Sequence, residues 1–273
     1  MAKIDFKILK IEHAIENREM PETYPRQYLG MSTLGDPCGR ALWYSFRWAY
    51  KEQVSPRVQR IFDRGDLEED RIIADLMIAG CDISGRQDVY KCGEHLKGHC
   101  DGKIDSLPDI PNEQVLLEMK TMKASSFADA KKKNDLKKSN YKYYCQMVVY
   151  MYMDDLNFGL MVITNKDTEE RHYEIVKADP DLALDLLNKG VDIINSTIPP
   201  AKLNESPTWF ECKFCRAKEV CHYGKEPERN CRTCEHVSVT DEGWYCSKND
   251  YHLGLEQQEA ACDDYTKTSA LST

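Results

Sequence analysis

The sequence predicts an α/β domain with a mixed central sheet flanked by helices, followed by a small segment held together by metal ions. Segments with helical periodicity alternate with short strand-like segments over the first 200 residues. Beyond the two prolines at 199–200, the chain becomes polar, rich in cysteine and poor in periodic segments. With 273 residues and 41% hydrophobic content, the chain is long enough to bury the core of one large domain.

Each element is predicted from apolar periodicity and from the turn residues that bound it. Residues 54–80 carry apolar side chains at helical spacing, and Gly80 is a suitable stop. Residues 125–153 are expected to form one long helix or two helices broken near Ser139 and Asn140. In chain order we expect helices at about 3–20, 38–48 and 54–80, strands at about 82–91, 96–106 and 114–122, the helical region 125–153, a hairpin of strands at about 157–164 and 170–177, and a helix that begins at Asp179–Pro180.

Charge and composition limit the classes of function. The formal net charge is −9, so a surface that binds nucleic acid would have to be local. No stretch is long and apolar enough to span a membrane, and the first ten residues lack the apolar run of a signal peptide. We therefore expect a cytoplasmic protein without a membrane partner, and its small size suits a phage or mobile element acting in a host cell.

Charged side chains interrupt the apolar strand at 114–122. Alternation places Glu118 and Lys120 on one face of this strand, opposite Met119. A buried carboxylate or ammonium is costly unless it is paired or binds a metal. A hairpin can bring Asp101 beside Glu118, and a hard divalent cation such as Mg²⁺ would offset the repulsion between the two acids. Such a site suits phosphodiester hydrolysis, with Lys120 orienting or deprotonating a water and neutralising charge in the transition state.

The alternative interpretation of Glu118 and Lys120 is an ion pair on a solvent-exposed strand face. An acidic residue two positions before a lysine is common by chance, so the triplet alone is not specific. A neighbouring pattern favours the catalytic interpretation. Gly65 and Glu69 have the spacing of one helix face, upstream of the two strands.

A second neighbouring pattern lies in the helical region 125–153. Gln146 and Tyr150 are four residues apart and share a face of a helix that is otherwise rich in Met, Val and Tyr. A buried glutamine needs hydrogen-bond partners, which a metal site or a DNA phosphate would provide. The simpler interpretation is a satisfied core amide and a core aromatic ring.

The order of these motifs, Gly-x3-Glu, Gly-His-x-Asp, Glu-x-Lys and Gln-x3-Tyr, resembles the PD-(D/E)xK superfamily and specifically its RecB-like branch. The resemblance implies a restriction-endonuclease-like core. It implies that Glu69, Asp101, Glu118 and the carbonyl of Met119 bind Mg²⁺ or Mn²⁺, and that Lys120 is the catalytic lysine.

The resemblance also implies that Gln146 and Tyr150 support the metal ligands and contact the DNA strand. One position departs from the family pattern, because many relatives have histidine where this chain has Glu69. Glutamate can also bind a metal, so the departure concerns metal preference more than activity. His99 lies two residues before Asp101, and we expect it to pack beside the site rather than to bind the metal.

A first set of cysteines has the spacing C-x2-C-x5-C and consists of Cys212, Cys215 and Cys221. The distant Cys38 is added to this set. Three thiolates leave a tetrahedral site incomplete, and Cys38 is the candidate for the fourth ligand. The split arrangement resembles the iron–sulfur nucleases, namely the CRISPR-associated RecB-like exonuclease family and the AddB-type nuclease domains, over about residues 30–222. It implies a [4Fe–4S] cluster that clasps the N-terminal helices over the sheet. Zinc bound by the same four thiolates is the alternative.

A second set of cysteines has the spacing C-x2-C-x11-C-x15-C: Cys231, Cys234, Cys246 and Cys262. It predicts a closed structural Zn²⁺ site, with His236 and His252 as alternative ligands. The chain would then divide into a nuclease domain at 1–222 and a zinc-ribbon-like module at 223–273. The module either contacts DNA or a partner protein, or simply caps the C-terminus.

The other four of the twelve cysteines are expected to be core or loop thiols: Cys81, Cys92, Cys100 and Cys145. Disulfides are disfavoured because no export signal is present. Residues 120–143 hold eight lysines and two aspartates, a local charge of +6. A lysine run is usually a solvated helix face, but its place beside the candidate site favours contact with phosphates. Three tyrosines nearby would stack on bases or, for at least two of them, pack in the core: Tyr141, Tyr143 and Tyr144.

These observations together predict a Mg²⁺- or Mn²⁺-dependent DNA exonuclease that acts on single strands or DNA ends and carries an iron–sulfur cluster and a structural zinc ion. The expected partners are DNA and a recombination or replication protein. One alternative is a structure-specific (flap) endonuclease. The other is a DNA-binding metal protein with a silent catalytic site, although every ligand position is filled.

Overall fold

A five-stranded mixed sheet forms the centre of the molecule. The computed structural model describes residues 9–271. The strands are β1 (Glu22–Thr23), β2 (Leu29–Gly30), β3 (Glu52–Gln53), β4 (Asp82–Ser84), β5 (Val89–Cys92), β6 (Leu96–His99), β7 (Gly102–Ser106), β8 (Val115–Met122), β9 (Phe158–Asn165), β10 (Arg171–Lys177), β11 (Val237–Thr240), β12 (Gly243–Cys246) and β13 (Tyr251–His252). The α-helices are α1 (Leu9–Glu16), α2 (Gly39–Phe46), α3 (Pro56–Ile78), α4 (Ala124–Lys133), α5 (Leu136–Ser139), α6 (Tyr141–Met153), α7 (Pro180–Asn195), α8 (Phe210–Lys213), α9 (Lys218–Tyr223) and α10 (Leu255–Ala260), and 3-10 turns lie at Met31–Thr33, Cys231–Thr233 and Ser269–Leu271.

The central sheet has the strand order β10–β9–β8–β7–β4. β8 and β9 are parallel neighbours, whereas the other neighbouring pairs are antiparallel. Parallel neighbours need a crossover connection, which α4, α5 and α6 provide. The predicted α/β fold with a mixed sheet flanked by helices is confirmed.

Helices cover both faces of the sheet because its central strands are apolar on both sides. On one face, Leu117 and Val162 belong to the same core cluster as Ile72 of α3. On the other face, Leu116 belongs to the same cluster as Val149 of α6. β8 is therefore buried on both faces, so a charged side chain on this strand is withdrawn from water.

The strand predicted at 96–106 is two strands that belong to different sheets. β6 joins β2 and β5 in a three-stranded sheet, whereas β7 pairs with β8 in the central sheet. The chain passes from one sheet to the other at Cys100 and Asp101. Asp101 therefore lies at a break between two sheets rather than within a strand.

The strand predicted at 82–91 is also divided. It forms β4 and β5, separated by Gly85 and Gln87, whose φ values of 57° and 58° lie in the left-handed region. Glycine takes this conformation readily, which allows the chain to turn here. Alternation alone did not reveal this turn.

The helical region predicted at 125–153 contains three helices. Asn134 adopts a left-handed conformation with φ 43° and ends α4, and the side chain of Asn140 caps α6. The break expected near Ser139 and Asn140 is confirmed. Of the first predicted helix, residues 3–8 lie outside the described residues. The other predicted elements of residues 9–200 agree with the structure, with small differences at their ends.

The N-terminal and C-terminal segments pack on the same core. Trp43 of α2 donates a hydrogen bond from Nε1 to the carbonyl of Ser196, at the end of α7, at 2.9 Å. The ring of Trp244 in β12 lies 5.0 Å from the ring of Phe46. The division of the chain at residue 222 stays a prediction, but residues after this point share the main hydrophobic cluster. Among the helices of residues 9–271, none has the length and apolar character needed to cross a membrane.

Candidate active site

Strand β8 carries a charged pair into the interior of the protein. Glu118 is fully buried, and its Oε1 lies 2.5 Å from Nζ of Lys120. The two side chains meet because residues 118 and 120 share a strand face. The same ammonium lies 3.8 Å from Oδ2 of Asp101. The alternative of a solvent-exposed ion pair is therefore wrong.

Asp101 reaches the same region from the break between β6 and β7. Its Oδ2 accepts the backbone N–H of Met119 at 2.7 Å, which fixes the acid to β8. The hairpin that was expected to bring Asp101 beside Glu118 exists, because β7 and β8 pair antiparallel. The role of the Met119 carbonyl as a metal ligand stays a prediction.

Helix α6 brings two further predicted residues to the site. Gln146 donates from Nε2 to Oε1 of Glu118 at 2.6 Å, so the buried amide has the partner it requires. Tyr150, one turn later, is buried against Gly98. A Cβ atom at residue 98 would lie only 2.6 Å from the Tyr150 ring, so this approach requires glycine. Gln146 thus contacts the acid directly, and a contact of either residue with DNA stays a prediction.

Glu69 lies on α3 and is half-buried. Burial raises the pKa of Glu69 to about 7, and the negative charge of Asp101 adds to the shift. A carboxylate has this effect on another only when the two are close. The three predicted acids therefore converge on one region, although they come from a helix, a loop and a strand.

The buried pair on β8 has shifted protonation equilibria. Burial raises the pKa of Glu118 above its ordinary value; Lys120 opposes this shift and Asp101 adds to it. Burial lowers the pKa of Lys120, but the charges of Glu118 and Asp101 outweigh it, so that the net pKa is raised. The neighbouring acids thus favour the ammonium form of Lys120. The two roles expected of Lys120, orienting or deprotonating a water and neutralising charge, both stay predictions.

The oxygen atoms of these acids are suitable donors for a hard cation. Oε2 of Glu118 is buried and has no hydrogen-bond partner, which is unfavourable for a carboxylate oxygen unless another group binds it. Across residues 9–271, no three Asp, Glu, His or Cys side chains stand in the arrangement of a formed metal site. The donor chemistry fits Mg²⁺ or Mn²⁺, and the side chains would have to draw together around the ion.

An open cleft of about 700 Å³ gives access to these groups. Its walls include Glu69, Asp101 and Lys120, as well as His99. The ring of His99 is not directed to the acids alone, since its Nε2 lies 3.1 Å from the hydroxyl of Tyr28. The supporting role expected of His99 stays a prediction.

A second region of the cleft, of about 580 Å³, shares Glu69 and Lys120 with the first. Apolar side chains also line it: Ile61, Phe62 and Tyr143. Charged and apolar walls that meet at one lysine suit a nucleotide chain, which has charged phosphates and flat apolar bases.

Arg26, in the loop between β1 and β2, was not predicted from the sequence. Its exposed side chain lines both regions of the cleft. In the part of the chain that the structure describes, no salt bridge or hydrogen bond engages its guanidinium. A guanidinium without a partner can bind a phosphate through two parallel hydrogen bonds. A single arginine in a loop carries no sequence signal, because only the folded chain brings it to the acids.

Glu68 is a second charged residue that the sequence did not reveal. It is only 3% exposed, although it lies next to Glu69 on α3. Its Oε1 accepts a hydrogen bond from the hydroxyl of Thr164 at 3.1 Å and lies 3.2 Å from Arg171. Glu68 borders the second region of the cleft. Its Oε1 is engaged by these partners, so its contacts tie α3 to β9 and β10.

The basic stretch 120–143 is largely paired with nearby carboxylates. Ion pairs of 2.6–3.3 Å join four of its lysines to aspartates: Lys133–Asp129, Lys137–Asp179, Lys138–Asp135 and Lys142–Asp36. A further lysine, Lys131, pairs with Glu170. This pairing leaves the stretch with less free positive charge than its composition suggests, and its contact with phosphates stays a prediction.

The three tyrosines near this stretch differ in their surroundings. Tyr143 lines the cleft, and its ring centre lies 5.5 Å from Nζ of Lys120. The hydroxyl of Tyr144 donates to Asp179 at 3.1 Å. Tyr141 is 47% exposed. Of the three, Tyr143 lines the cleft, and stacking of any of them on a base stays a prediction.

The cysteines of the first set line one cavity of about 420 Å³. Sγ of Cys38 accepts the backbone N–H of Ala41 at 3.4 Å and so caps α2. Burial raises the pKa of Cys215, and the charges of Cys38 and Cys221 add to the shift. Thiols far apart in the sequence are therefore close in space, as a shared cluster requires. The identity of the bound metal stays a prediction.

The second set of cysteines lines a smaller cavity of about 170 Å³. Cys231 begins a 3-10 turn that Cys234 follows, and Cys246 ends β12. Burial raises the pKa of Cys231 to about 11, and the charges of Cys262, Cys234 and Cys246 all add to the shift. Four cysteines around one cavity suit a structural Zn²⁺ ion, which would bind them as thiolates. The zinc site stays a prediction.

The alternative histidine ligands differ in position. His236 lines the same small cavity, whereas Nε2 of His252 lies 3.3 Å from Glu242. No disulfide forms in the described part of the chain, residues 9–271. The four cysteines outside the two sets are buried or half-buried thiols, as predicted: Cys81, Cys92, Cys100 and Cys145.

Comparisons with known proteins found likeness among solved structures alone. An alkaline exonuclease from Laribacter hongkongensis is 14% identical; the match covers 61% of this chain and 85% of that chain, with a TM-score of 0.47. A phage-related exonuclease from Haemophilus somnus 129PT is 14% identical; the match covers 65% of this chain and 93% of that chain, with a TM-score of 0.44. No protein-family model matches the chain. No curated protein matches it either.

Proposed function

We propose that the protein is a metal-dependent DNA exonuclease that hydrolyses phosphodiester bonds on single strands or at DNA ends in the cytoplasm. The observation that carries this proposal is the environment of Glu118. Lys120 and Gln146 hold one oxygen of this buried acid, and the other oxygen has no partner. An unsatisfied oxygen alone is not specific, because Oε2 of Glu174 is also buried and without a hydrogen-bond partner. Glu118 differs because the ammonium it contacts, that of Lys120, also lies 3.8 Å from Oδ2 of Asp101. An unsatisfied oxygen within this group of charges supports a bound cation.

The side chains of the cleft would divide the chemistry between them. Glu69, Asp101 and Glu118, with the carbonyl of Met119, would hold Mg²⁺ or Mn²⁺. Such an ion, when bound, supplies a Lewis acid that polarises the phosphate ester. As an ammonium, Lys120 would stabilise the negative charge that develops on the phosphate during hydrolysis.

The residues around the acids would orient the reacting groups. Gln146 fixes Glu118 by the hydrogen bond to Oε1. Tyr150 supports α6 against β6 at Gly98. Arg26, whose guanidinium lines the cleft, would bind a phosphate and keep the strand in register with Lys120.

Cleavage assays with end-labelled single strands and duplexes, in Mg²⁺ or Mn²⁺, test the proposal. We expect the wild type to cut, and Lys120→Ala or Glu118→Gln to lower the rate by about 100-fold or more. Lys120→Ala removes the ammonium beside the phosphate, and Glu118→Gln removes a charged ligand of the metal ion. Thr164→Val is the matched control. It removes a donor to the other buried acid of this region, Glu68, and should lower stability while leaving cleavage little changed. If the wild type cuts no DNA with either metal, the DNA-binding protein with a silent site is the better interpretation.

A circular single strand separates the exonuclease from the flap endonuclease, because only an endonuclease can cut a molecule without ends. We expect the circle to survive while a linear strand of the same sequence is degraded. Blocking each end of the linear strand in turn then gives the direction of cleavage.

We also propose that the first cysteine set holds a [4Fe–4S] cluster and the second a structural Zn²⁺ ion. The gathering of each set around its own cavity supports two separate sites. Protein purified without oxygen should be brown and contain iron, sulfide and zinc. Colourless protein with zinc alone would contradict the cluster and favour the alternative of zinc in both sets.

A further inference from the structure

The loop at residues 24–28 carries Arg26 into the cleft with few attachments of its own. Backbone pairing of β1 with β3 and of β2 with β6 fixes the two ends of the loop. Between these ends, one hydrogen bond reaches the loop backbone within residues 9–271: Nε1 of Trp48 donates to the carbonyl of Arg26 at 3.1 Å. A side-chain contact, from the hydroxyl of Tyr28 to Nε2 of His99 at 3.1 Å, also anchors the loop two residues further on. At Arg26 itself, the hydrogen bond from Trp48 is the contact that holds the backbone.

Trp48 is itself held in an unusual conformation. Its φ of 53° lies in the left-handed region, which a bulky side chain adopts only when its surroundings enforce it. The side chain of Asn230 donates to its carbonyl at 2.8 Å. The ring of Tyr24 stacks on the indole at 4.8 Å, and the guanidinium of Arg232 lies 3.5 Å from its centre. Two of these contacts come from the C-terminal segment.

Arg232 is a buried cation that no acidic side chain pairs in the described residues. It is 1% exposed, and it donates to the carbonyl of Phe46 at 3.0 Å and to Oε1 of Gln258 at 2.9 Å. It lies inside the turn between Cys231 and Cys234, so the cysteine turn sets its position. A buried guanidinium is destabilising unless hydrogen bonds and other contacts compensate its lost hydration, and two acceptors and the indole ring do so for Arg232. Here it fixes the indole through a cation–π contact.

We infer that Arg232 and Trp48 are positioning residues for Arg26. The cysteine turn fixes Arg232, Arg232 fixes the indole, and the indole N–H fixes the backbone of Arg26. Arg26 thereby holds its guanidinium ready for a phosphate of the bound strand. The inference rests on the proposed function, since it requires a nucleic-acid strand in the cleft. It gives the C-terminal segment a part in substrate binding without any contact between that segment and the substrate.

Binding of a single-stranded oligonucleotide at several salt concentrations tests the inference, in the cleavage-deficient Glu118→Gln background. Arg26→Ala should weaken binding about tenfold, because a charged hydrogen bond to phosphate is lost. It should also reduce the slope of log Kd against log salt by about 0.7, the value for one phosphate contact on a single strand.

Trp48→Phe keeps an aromatic ring but removes the N–H that holds Arg26. We expect it to weaken binding about threefold or more and to reduce the salt slope, as misplacement of Arg26 requires. In the Arg26→Ala background the same change should weaken binding no further. Arg232→Lys, which keeps the charge but loses the planar contact with the indole, should behave in the same way as Trp48→Phe.

Trp43→Phe is the matched control, because Trp43 is also 1% exposed and donates its N–H to a carbonyl, that of Ser196. Its effect on binding should be small, the same with and without Arg26, and without change in the salt slope. Thermal melts should show that each variant is folded.

Two results would overturn the inference. One is that Trp48→Phe and Arg26→Ala act independently, so that their fold-increases in Kd multiply in the double variant. The other is an unchanged salt slope in both Trp48→Phe and Arg232→Lys. A different result, no binding of single strands by the Glu118→Gln protein or the wild type even at low salt, would overturn the proposed function as well.

Discussion

A carboxylate without access to water, such as that of Glu118, is destabilising by several kcal/mol unless neighbours or a cation compensate it. Lys120 and Gln146 compensate one of its oxygens. The second oxygen and the nearby charges of Glu69 and Asp101 remain a source of repulsion in the metal-free protein. The site is therefore less stable than an apolar core would be, and a divalent cation should stabilise the folded state.

Glu69 should make the stability of the metal-free protein depend on pH. Its pKa is raised from 4.5 to about 7 by burial and by Asp101, so the folded protein holds a proton here more tightly than the unfolded chain. This group therefore favours folding fully below pH 4.5, and its contribution is lost as pH rises through about 7. We expect the melting temperature of Glu69→Gln to exceed that of the wild type by a margin that grows from about pH 5 to pH 8.

Thermal melts in buffer free of divalent ions measure this margin. Added Mg²⁺ or Mn²⁺ should reduce it at the upper end of the range, because only the wild type has the third carboxylate for the ion. A margin that is constant with pH would show that Glu69 titrates normally in the folded protein.

At the scale of elements, α3 and β8 form two sides of the cleft. Gly65 of α3 and Lys120 of β8 line it. Gly65 lies inside α3, where glycine is less stable than alanine. A Cβ atom there would meet nothing within 4 Å, so packing does not require glycine. Gly65 lines the region of the cleft that also contains Lys120 and Tyr143. The open space above Gly65 is consistent with the close approach of a nucleotide strand.

Gly65→Ala should raise the free energy of unfolding by about 0.5–1 kcal/mol and lower the affinity for DNA, because the methyl group favours the helix but narrows the cleft. Denaturant unfolding and DNA binding measure the two effects. Gly98→Ala is the contrasting variant and should destabilise the protein, since its Cβ would lie 2.6 Å from the ring of Tyr150. If Gly65→Ala stabilises the protein and binds DNA normally, glycine at this position is not required by the substrate.

At the scale of the whole molecule, one hydrophobic cluster joins parts of the chain from Leu29 to Leu271. The two cysteine sets lie in different parts of the fold. The first lies at the start of α2 and around α8 and α9, and the second lies in a segment that packs on Phe46 and Trp48. Metal binding at either set should therefore stabilise the N-terminal segment and the C-terminal segment together.

Serine at Cys38 should destabilise the protein more than serine at Cys81. Cys38 would lose a metal bond that closes a very long loop, whereas Cys81 is a free core thiol that is 4% exposed. Chemical unfolding and iron analysis of the two variants check this expectation. Equal destabilisation, with iron retained in Cys38→Ser, would remove Cys38 from the cluster.

The sequence predicted the parts of the site that local geometry determines. Strand alternation put Glu118 and Lys120 on one face, and helical spacing put Gln146 near Tyr150, and the structure agrees because β8 and α6 are regular. The sequence also predicted that Cys38 lies near the other cysteines of the first set. This prediction came from the number of ligands that a tetrahedral site needs, since three thiolates need a fourth.

The sequence did not predict features that arise from long-range contacts. Arg26 and Arg232 have no periodicity or motif of their own, and their surroundings come from segments far away in the chain. The passage from one sheet to another at Asp101 was missed because alternation continues across it, and partner choice of each strand depends on tertiary packing. The roles of Arg26, Arg232 and Asp101 thus depend on tertiary contacts that a local sequence pattern does not contain.

The parallel pairing of β8 with β9 also bears on how the protein is made. Leu116 pairs with Gly159, 43 positions later in the chain, so a ribosome working at 5–20 residues per second needs roughly 2–9 s between the two strands. During that interval, β8 lacks β9 along one edge. The exposed edge includes five residues that are buried in the folded protein, Val115–Met119. Such an edge invites aggregation of nascent chains. We expect soluble yield in a recombinant host to rise when growth temperature is lowered, because association of exposed strands weakens on cooling.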